Sequence, residues 1–359
     1  MLIVFEVGYT PDLLDQKQEC SMFGSELFLM QFAAKLKELK HDVVIFGPSQ
    51  QQGCYKGVMF ANFAMLESFQ TKYSVDVLII HRYLNFFVRH QAKAKRVILM
   101  NHDMCCNSYY YGGSFPDCGK FLVANADSAF DTVVCLTPWH KDFILCNYPS
   151  LKESKVVVIG HALSDEVLKK AATTTKEKVP NSFLYVSDSQ RGLRLLLEAF
   201  PRIRMRLPDA TLTICRELPP DLKAELEPNS HYIKLVGKLS YDQVCDLWQT
   251  HDVWLYPTQF CETFCLAAIE AQIFKCVCIC TMTAALSSTV GDRGVCLDEK
   301  LLVNDKAKFI EDMVRKVVQI QSNPEEKKKL IDKGYKWACE QNWLNKIDDE
   351  WSKVFTPRN

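Results

Sequence analysis

The sequence predicts an α/β chain of two doubly wound, parallel-sheet domains in series. Three observations predict it. Short apolar strands alternate with helix-period segments through the first half, a polar Thr-rich stretch interrupts them at 169–182, and the alternation then restarts. The length of 359 residues also suits two domains of ~150 residues better than one core.

In the first half, strands read at 1–7, 42–47 ("DVVIFG"), 76–80 ("DVLII"), 96–100 ("RVILM"), 131–136 ("DTVVCL") and 155–159 ("KVVVI"). The clearest helix between them is "SELFLMQFAAKLKELK" (25–40), where Leu29, Phe32, Ala33, Leu36 and Leu39 recur at three- and four-residue spacings. Strand, helix and parallel strand in turn form a Rossmann-like unit. Residues 1–168 are therefore expected to form the first domain, 169–182 a linker ending in Pro-Asn-Ser, and 183–342 the second. In the second, strands read at 182–187, 210–215, 232–237, 252–257 and 276–280, and helices at 192–207, 241–250 and 262–274. The tail 305–356 is helical by composition, with Asn323-Pro324 as a helix start. Its end, 343–359, bears Trp343 and Trp351 and is expected to pack back across the first domain.

Composition narrows the function. Lys+Arg and Asp+Glu are equal at 43 each, so no net field draws nucleic acid or an anionic membrane, and "PRIRMR" (201–206) reads as a solvated helix face. No apolar run spans a bilayer, although peripheral membrane contact stays compatible with the sequence. The start "MLIVFEVGY" has no basic leader and reads as a buried strand, and the expected location is cytoplasmic. The 16 cysteines then belong to a reducing compartment, and several, such as Cys276, Cys278 and Cys280, lie in apolar strands as small hydrophobes. Paired C-x(2)-C spacings are absent, and Cys261 with Cys265 lacks a second pair, so zinc is not expected.

Several motifs are missing. G-x-G-x-x-G does not follow the first strand, and Walker A and G-x-S-x-G do not occur. D-x-D is absent too, so a nucleotide-type ligand is expected to be held without metal.

The segment "CETFCLAAIEAQ" (261–272) follows the strand and turn "DVWLYPTQF". In open α/β sheets ligands sit beyond the carboxyl ends of strands, where helix amides face them. The amides of Phe264, Cys265 and Leu266, with Thr263 before them, are candidates to receive phosphate oxygens. On one continuous helix, Glu262 and Glu270 would stand ~12 Å apart, too far for a glycosidase pair and suited to gripping two ends of an elongated ligand. The same two residues also read as a helix cap and a solvated face.

This segment resembles the E-x(7)-E signature of retaining GT-B glycosyltransferases, in particular glycosyltransferase family 4. The surrounding "GKLSYDQVCDLWQTHDVWLYPTQFCETFCLAAIEAQ" (237–272) resembles the same family, as does "FLYVSDSQRGLRLLLEAFPRIRMRLPDATLTI" (183–214). "FGSE" (23–26) resembles its phosphate loop, "NHDM" (101–104) its His-bearing strand end, and "QNWLNKIDDEW" (341–351) its returning tail. The resemblance implies a GT-B fold whose two domains face a cleft. It implies metal-independent, retaining transfer of a sugar from a nucleotide diphosphate, a UDP- or GDP-sugar first, to a glycan or other hydroxyl acceptor. Glu262 would contact the donor sugar, Glu270 the ribose, Gly24 and Arg191 the phosphates, and His102 the sugar or developing charge. No metal or other cofactor is implied.

The sequence departs from that pattern where a second basic residue is usual before Arg191: here stand Ser187, Asp188 and Ser189. Micromolar affinity needs ~8 kcal/mol and a helix terminus contributes only ~0.3–2 kcal/mol, so a second cation is expected, with Lys238 as candidate. Phe23 replaces the first glycine of the usual pair, and "GHAL" (160–163) the usual Asn-Gly turn. The Tyr-rich segment 105–121 is the expected acceptor-facing loop. A nucleotide-sugar epimerase and a catalytically inactive nucleotide-sugar-binding scaffold are the alternatives.

Overall fold

The structure, a computed structural model, describes residues 1–7, 24–48, 53–82, 84, 86–87, 90–104 and 128–356. The expected acceptor loop at 105–121 and Phe23 lie outside them. The described chain divides into two compact units, one from Met1 to Ala162 with the tail from Trp343, the other Leu163–Asn342.

The first unit runs β1 (Leu2–Glu6), α1 (Gly24–Glu38), β2 (Asp42–Gly47), β3 (Gly53–Tyr55), β4 (Val58–Asn62), α2 (Leu66–Lys72), β5 (Val75–His81), β6 (Ala94–Met100), β7 (Thr132–Cys135), α3 (Pro138–Asn147) and β8 (Val156–Val158). Its sheet order is β3-β4-β2-β1-β5-β6-β7-β8, parallel except for the β3–β4 pair. Both faces are covered, which is why β1, β5 and β6 read as nearly continuous apolar runs. On one face α1 packs Phe28, Phe32 and Leu36 against the sheet, with Phe5 edge-on to Phe32 at 5.8 Å.

The tail closes the same unit. It turns through a short helix at Trp343–Asn345, a π-helical segment at Lys346–Trp351 and a last turn at Ser352–Phe355. Trp343 stacks on Phe32 at 5.1 Å, Trp351 lies 4.5 Å from the same ring, and the Trp343 indole donates to Gln31 Oε1 at 3.1 Å. On β6, buried Arg96 donates to the carbonyl of Val354 at 3.2 Å.

The second unit runs α4 (Asp165–Thr173), β9 (Val179–Tyr185), α5 (Leu193–Arg206), β10 (Thr211–Ile214), α6 (Pro220–Leu226), β11 (Ile233–Leu235), α7 (Tyr241–Thr250), β12 (His251–Tyr256), α8 (Leu266–Ile273), β13 (Val277–Thr281), β14 (Val295–Leu297), α9 (Lys306–Gln321) and α10 (Pro324–Glu340). The sheet order β11-β10-β9-β12-β13-β14 is all parallel. Chain order reverses between β9 and β12. Such a switch point opens a crevice at the strands' carboxyl ends.

Two expectations are corrected. The stretch 169–182 is not linker throughout: it holds the end of α4 and the start of β9, with only 174–178 irregular between them. Ser164 caps α4, and Val167 and Ala171 are its only buried residues, so a mostly exposed helix looked like a polar spacer. The helix expected at 262–274 starts at Leu266 instead, because Cys265 is left-handed (φ 73°, ψ 87°) and stops the helical path there. Glu262 therefore lies on the preceding loop, and the ~12 Å helix rise does not describe the two glutamates. The hairpin β3–β4 and the strand β14 have too few buried residues to stand out as strands in the sequence.

Candidate functional site

In the second unit the β9 and β12 turns meet. After β9 the chain passes through Asp188, whose carbonyl accepts from the Tyr185 hydroxyl at 2.6 Å and from the Arg191 amide at 2.9 Å. Gly192 caps α5 at φ 99°, and a Cβ there would sit 2.0 Å from the carbonyl oxygen of Pro257. Only glycine allows the two turns to touch.

That contact sets Arg191 beside the loop after β12. Its Nη1 lies 3.2 Å from Glu262 Oε1, and its guanidinium stacks 3.7 Å above the Phe260 ring. The Tyr256 hydroxyl donates to the same Glu262 oxygen at 2.7 Å and accepts from Ser187 Oγ at 3.3 Å. Glu262 is 8% exposed, so its carboxylate is held by a phenol and a guanidinium in a nearly dry place. Burial raises the hydroxyls of Tyr185 and Tyr256 far above the usual phenol range, so both remain donors.

Glu270, inside α8, is buried, and the Trp248 indole of α7 donates to its Oε2 at 3.2 Å. Burial lifts its carboxyl to about 7, against the opposing pull of the Tyr241 hydroxyl and the Trp248 indole. The reading of Glu270 as a solvated face residue is overturned by this burial. After the left-handed turn at Cys265, α8 opens with the amides of Leu266 and Ala267, which have no carbonyl partner within their own helix. Burial raises the Cys265 thiol well above its usual range, so it stays protonated. Lys238 is exposed in the turn between β11 and α7.

The first unit has a separate cluster at the carboxyl ends of β5, β6 and β8. His81, His102 and His161 are all buried. The His102 ring lies 4.6 Å from His81, 5.5 Å from His161 and 4.9 Å from Phe28 of α1. Burial, then the neighbouring His81 and His161, depress His102 well below the usual imidazole range. His81 and His161 fall to about 3 for the same principal reason, desolvation. His102 is therefore neutral at pH 7: it can donate or accept a hydrogen bond but brings no positive charge to a leaving group. The turn that carries it is fixed on both sides. Arg82 donates twice to Asp103, at 3.1 and 3.2 Å, and His140 bonds the Asp103 carbonyl at 2.9 Å while accepting from the Leu136 amide at 3.1 Å. Gly24 opens α1, and a Cβ there would meet nothing within 4 Å.

The structure thus brings Arg191 and Glu262 together, sets Glu270 in the helix behind them, and places His102 and Gly24 in the other unit. Sequence reasoning missed Tyr256, Phe260, Trp248, His81, His140 and His161. The available signal was positional: Tyr256 and His81 end strands, and strand ends of a doubly wound sheet are where ligand groups gather.

The sequence profile described as "Glycosyl transferases group 1" matches residues 153–337. The chain belongs to this family. Solved structures share the fold. A glycosyltransferase from Rickettsia africae superposes with a TM-score of 0.75 at 15% identity, covering 98% of this chain and 97% of its own. Sucrose-phosphate synthase from Thermosynechococcus elongatus gives 0.76 at 14%, covering 99% of both chains. HepE from Anabaena, solved in complex with UDP-glucose, gives 0.64 at 12%, again covering 99% of both. No curated protein sequence matches the chain. The fold is GT-B, and the family is one of transferases, which does not favour the epimerase alternative. Among the described residues no helix is long and apolar enough to cross a membrane.

Proposed function

We propose that the protein transfers a sugar, with retention of configuration and without metal, from a nucleotide diphosphate sugar to a hydroxyl acceptor such as a glycan. The observation that carries this reading is the Tyr256–Glu262–Arg191 constellation at the β9/β12 switch point, beside the opening amides of α8. Arg191 and the amides of Leu266 and Ala267 suit the diphosphate, since cation and helix terminus both favour negative charge. Glu262, its Oε1 held by Tyr256 and Arg191, has Oε2 to accept from a sugar hydroxyl. Glu270 suits a ribose diol. On the acceptor side, neutral His102 donates a hydrogen bond to a sugar hydroxyl. The acceptor attacks from the leaving-group side, and the departing phosphate takes its proton. A UDP- or GDP-sugar is the first donor to test, and cytoplasmic residence is part of the proposal.

The test is transfer from UDP- and GDP-sugars in EDTA to a panel of sugar acceptors, with the product anomer assigned by NMR. Retention of the donor configuration, lost in Glu262→Gln at unchanged folding, supports the proposal. Inversion, or activity abolished by EDTA and restored by Mg²⁺, overturns it. Nucleotide binding without any transfer favours the scaffold reading.

A further inference from the structure

The donor-site reading leaves a charge problem. Arg191 is already matched by Glu262 at 3.2 Å, and Asp188 adds a further negative charge to the same turn. Without another cation this rim is net negative, and a diphosphate carries two or three negative charges of its own. The sequence offers no base at Ser187–Ser189.

The fold supplies one from the neighbouring strand. β10 pairs with β9 so that Ile214 faces Tyr185, and the Cys215 amide still donates to the Tyr185 carbonyl at 2.9 Å. Arg216 therefore leaves the sheet level with the start of the β9 turn. Its Nη2 lies 3.7 Å from Asp188 Oδ2, while Asp188 Oδ1 is occupied by the Gln190 amide at 3.0 Å. A separation of 3.7 Å is an ion pair but longer than a direct N–H···O bond, and the Arg216 side chain keeps 30% of its surface exposed. The guanidinium therefore sits beside the turn whose Asp188 carbonyl accepts from the Arg191 amide. Lys238 follows β11, two strands from β9, and strands are ~4.8 Å apart. Strand order thus places Arg216 one strand nearer than Lys238.

We propose that Arg216 provides the second positive charge for the diphosphate of the nucleotide donor, reaching across from β10 to do what the Ser187–Ser189 turn does not. This rests on the donor-site reading above. The competing account is that Arg216 only neutralises Asp188.

Calorimetric titration with UDP and with uridine separates them, using wild type, Arg216→Ala, Arg216→Lys, Asp188→Asn and the Arg216→Ala/Asp188→Asn double variant. GDP and ADP with their nucleosides replace UDP if wild type takes those instead. The expected result is a ~10- to 100-fold loss of diphosphate affinity in Arg216→Ala with little change for the nucleoside, partial recovery in Arg216→Lys, and at most partial recovery from adding Asp188→Asn. Equal losses for diphosphate and nucleoside, or full recovery of wild-type affinity in the double variant, overturn the proposal. If Arg216→Ala does not fold, Arg216→Gln takes its place: a diphosphate affinity in Arg216→Gln equal to that of wild type overturns the proposal, because the neutral side chain no longer supplies the charge. A wild type that binds no nucleoside diphosphate sinks the donor-site reading itself. A wild type that binds UDP as tightly as Arg216→Ala does sinks only the assignment of Arg216.

Discussion

Tyr256 and Glu262 are joined by a 2.7 Å hydrogen bond in which the last residue of β12 fixes a carboxylate six residues further on. The bond needs the chain to loop back over its own strand end, and the Arg191–Glu262 pair closes the same loop from β9. Tyr256→Phe preserves the ring, which stacks on Trp254 at 5.2 Å, and removes the hydroxyl that donates to Glu262 and accepts from Ser187. A hydrogen bond to a charged group contributes ~1.5–3 kcal/mol. The variant is expected to lose about that much stability in urea unfolding, and to lose kcat for sugar transfer by at least ~10-fold if it acts by orienting Glu262. A stability loss with full activity would show that Glu262 does not need Tyr256 for its orientation.

Two glycines separate packing from binding. At Gly192, φ is 99° and an added Cβ would meet Pro257 O at 2.0 Å and Pro257 C at 2.8 Å, both backbone. Gly192→Ala is expected to cost more than ~3 kcal/mol or to prevent folding, because the two turns must part. At Gly24 a Cβ meets nothing within 4 Å, and alanine favours helix by ~0.5–1 kcal/mol. Gly24→Ala is expected to melt at or above the wild-type temperature, and, if Gly24 approaches the donor phosphates as the family resemblance implies, to weaken UDP-dependent stabilisation. Thermal unfolding with and without UDP reads both effects.

Much of this was legible in the sequence, and the residues show why. Strand β5 is a run of apolar residues buried on both faces, so composition alone marks it, whereas β3, with no fully buried residue, carries no such mark. Arg191 and Glu262 stand next to sequence punctuation: a glycine that must be left-handed, and a strand end followed by Pro257. Arg216 and Tyr256 gain their meaning only from pairing between strands, and strand order is a long-range property. The Cys265 turn was illegible for a local reason, since nothing in "ETFCL" announces a positive φ at a cysteine.

Buried titratable groups shape the pH profile. Burial raises Glu6 to about 8 and Glu270 to about 7, from an ordinary 4.5. Below pH 4.5 both states hold these protons and no penalty arises. As pH climbs from there the unfolded chain ionises first, so stability falls until pH passes the folded values. At ~1.4 kcal/mol per unit the full penalties are roughly 5 and 3 kcal/mol. The histidines act in the opposite sense. His81 and His161 at about 3, His140 at about 4 and depressed His102 make the unfolded chain take up protons first below pH 6.5. The four histidines outweigh the two glutamates between pH 4.5 and 6.5, so stability is expected to peak near pH 6.5 and fall on both sides. Glu6→Gln should flatten the alkaline limb and raise stability at pH 8. Urea unfolding of both proteins from pH 5 to 9 checks it, and an alkaline limb unchanged in the variant would show that Glu6 is not its source.

The tail supplies the last prediction. Trp343 is 1% exposed, stacks on Phe32, approaches Phe28 edge-on at 5.0 Å and donates to Gln31. All three partners lie on α1, whose first residue is Gly24 and whose Phe28 also touches His102 and His161. Removing a buried tryptophan costs ~3–5 kcal/mol through lost transfer energy and the cavity left behind. The same substitution loosens the helix that backs the histidine cluster. Trp343→Ala is therefore expected to unfold at much lower urea and, at temperatures where it stays folded, to exchange the amides of α1 faster than those of β9–β12. Trp343→Phe, which keeps the stack and loses the bond to Gln31, should cost only ~1–2 kcal/mol and leave that exchange pattern near wild type. Hydrogen exchange spread evenly over both units in Trp343→Ala would show that the tail stabilises the chain as a whole and not α1 in particular.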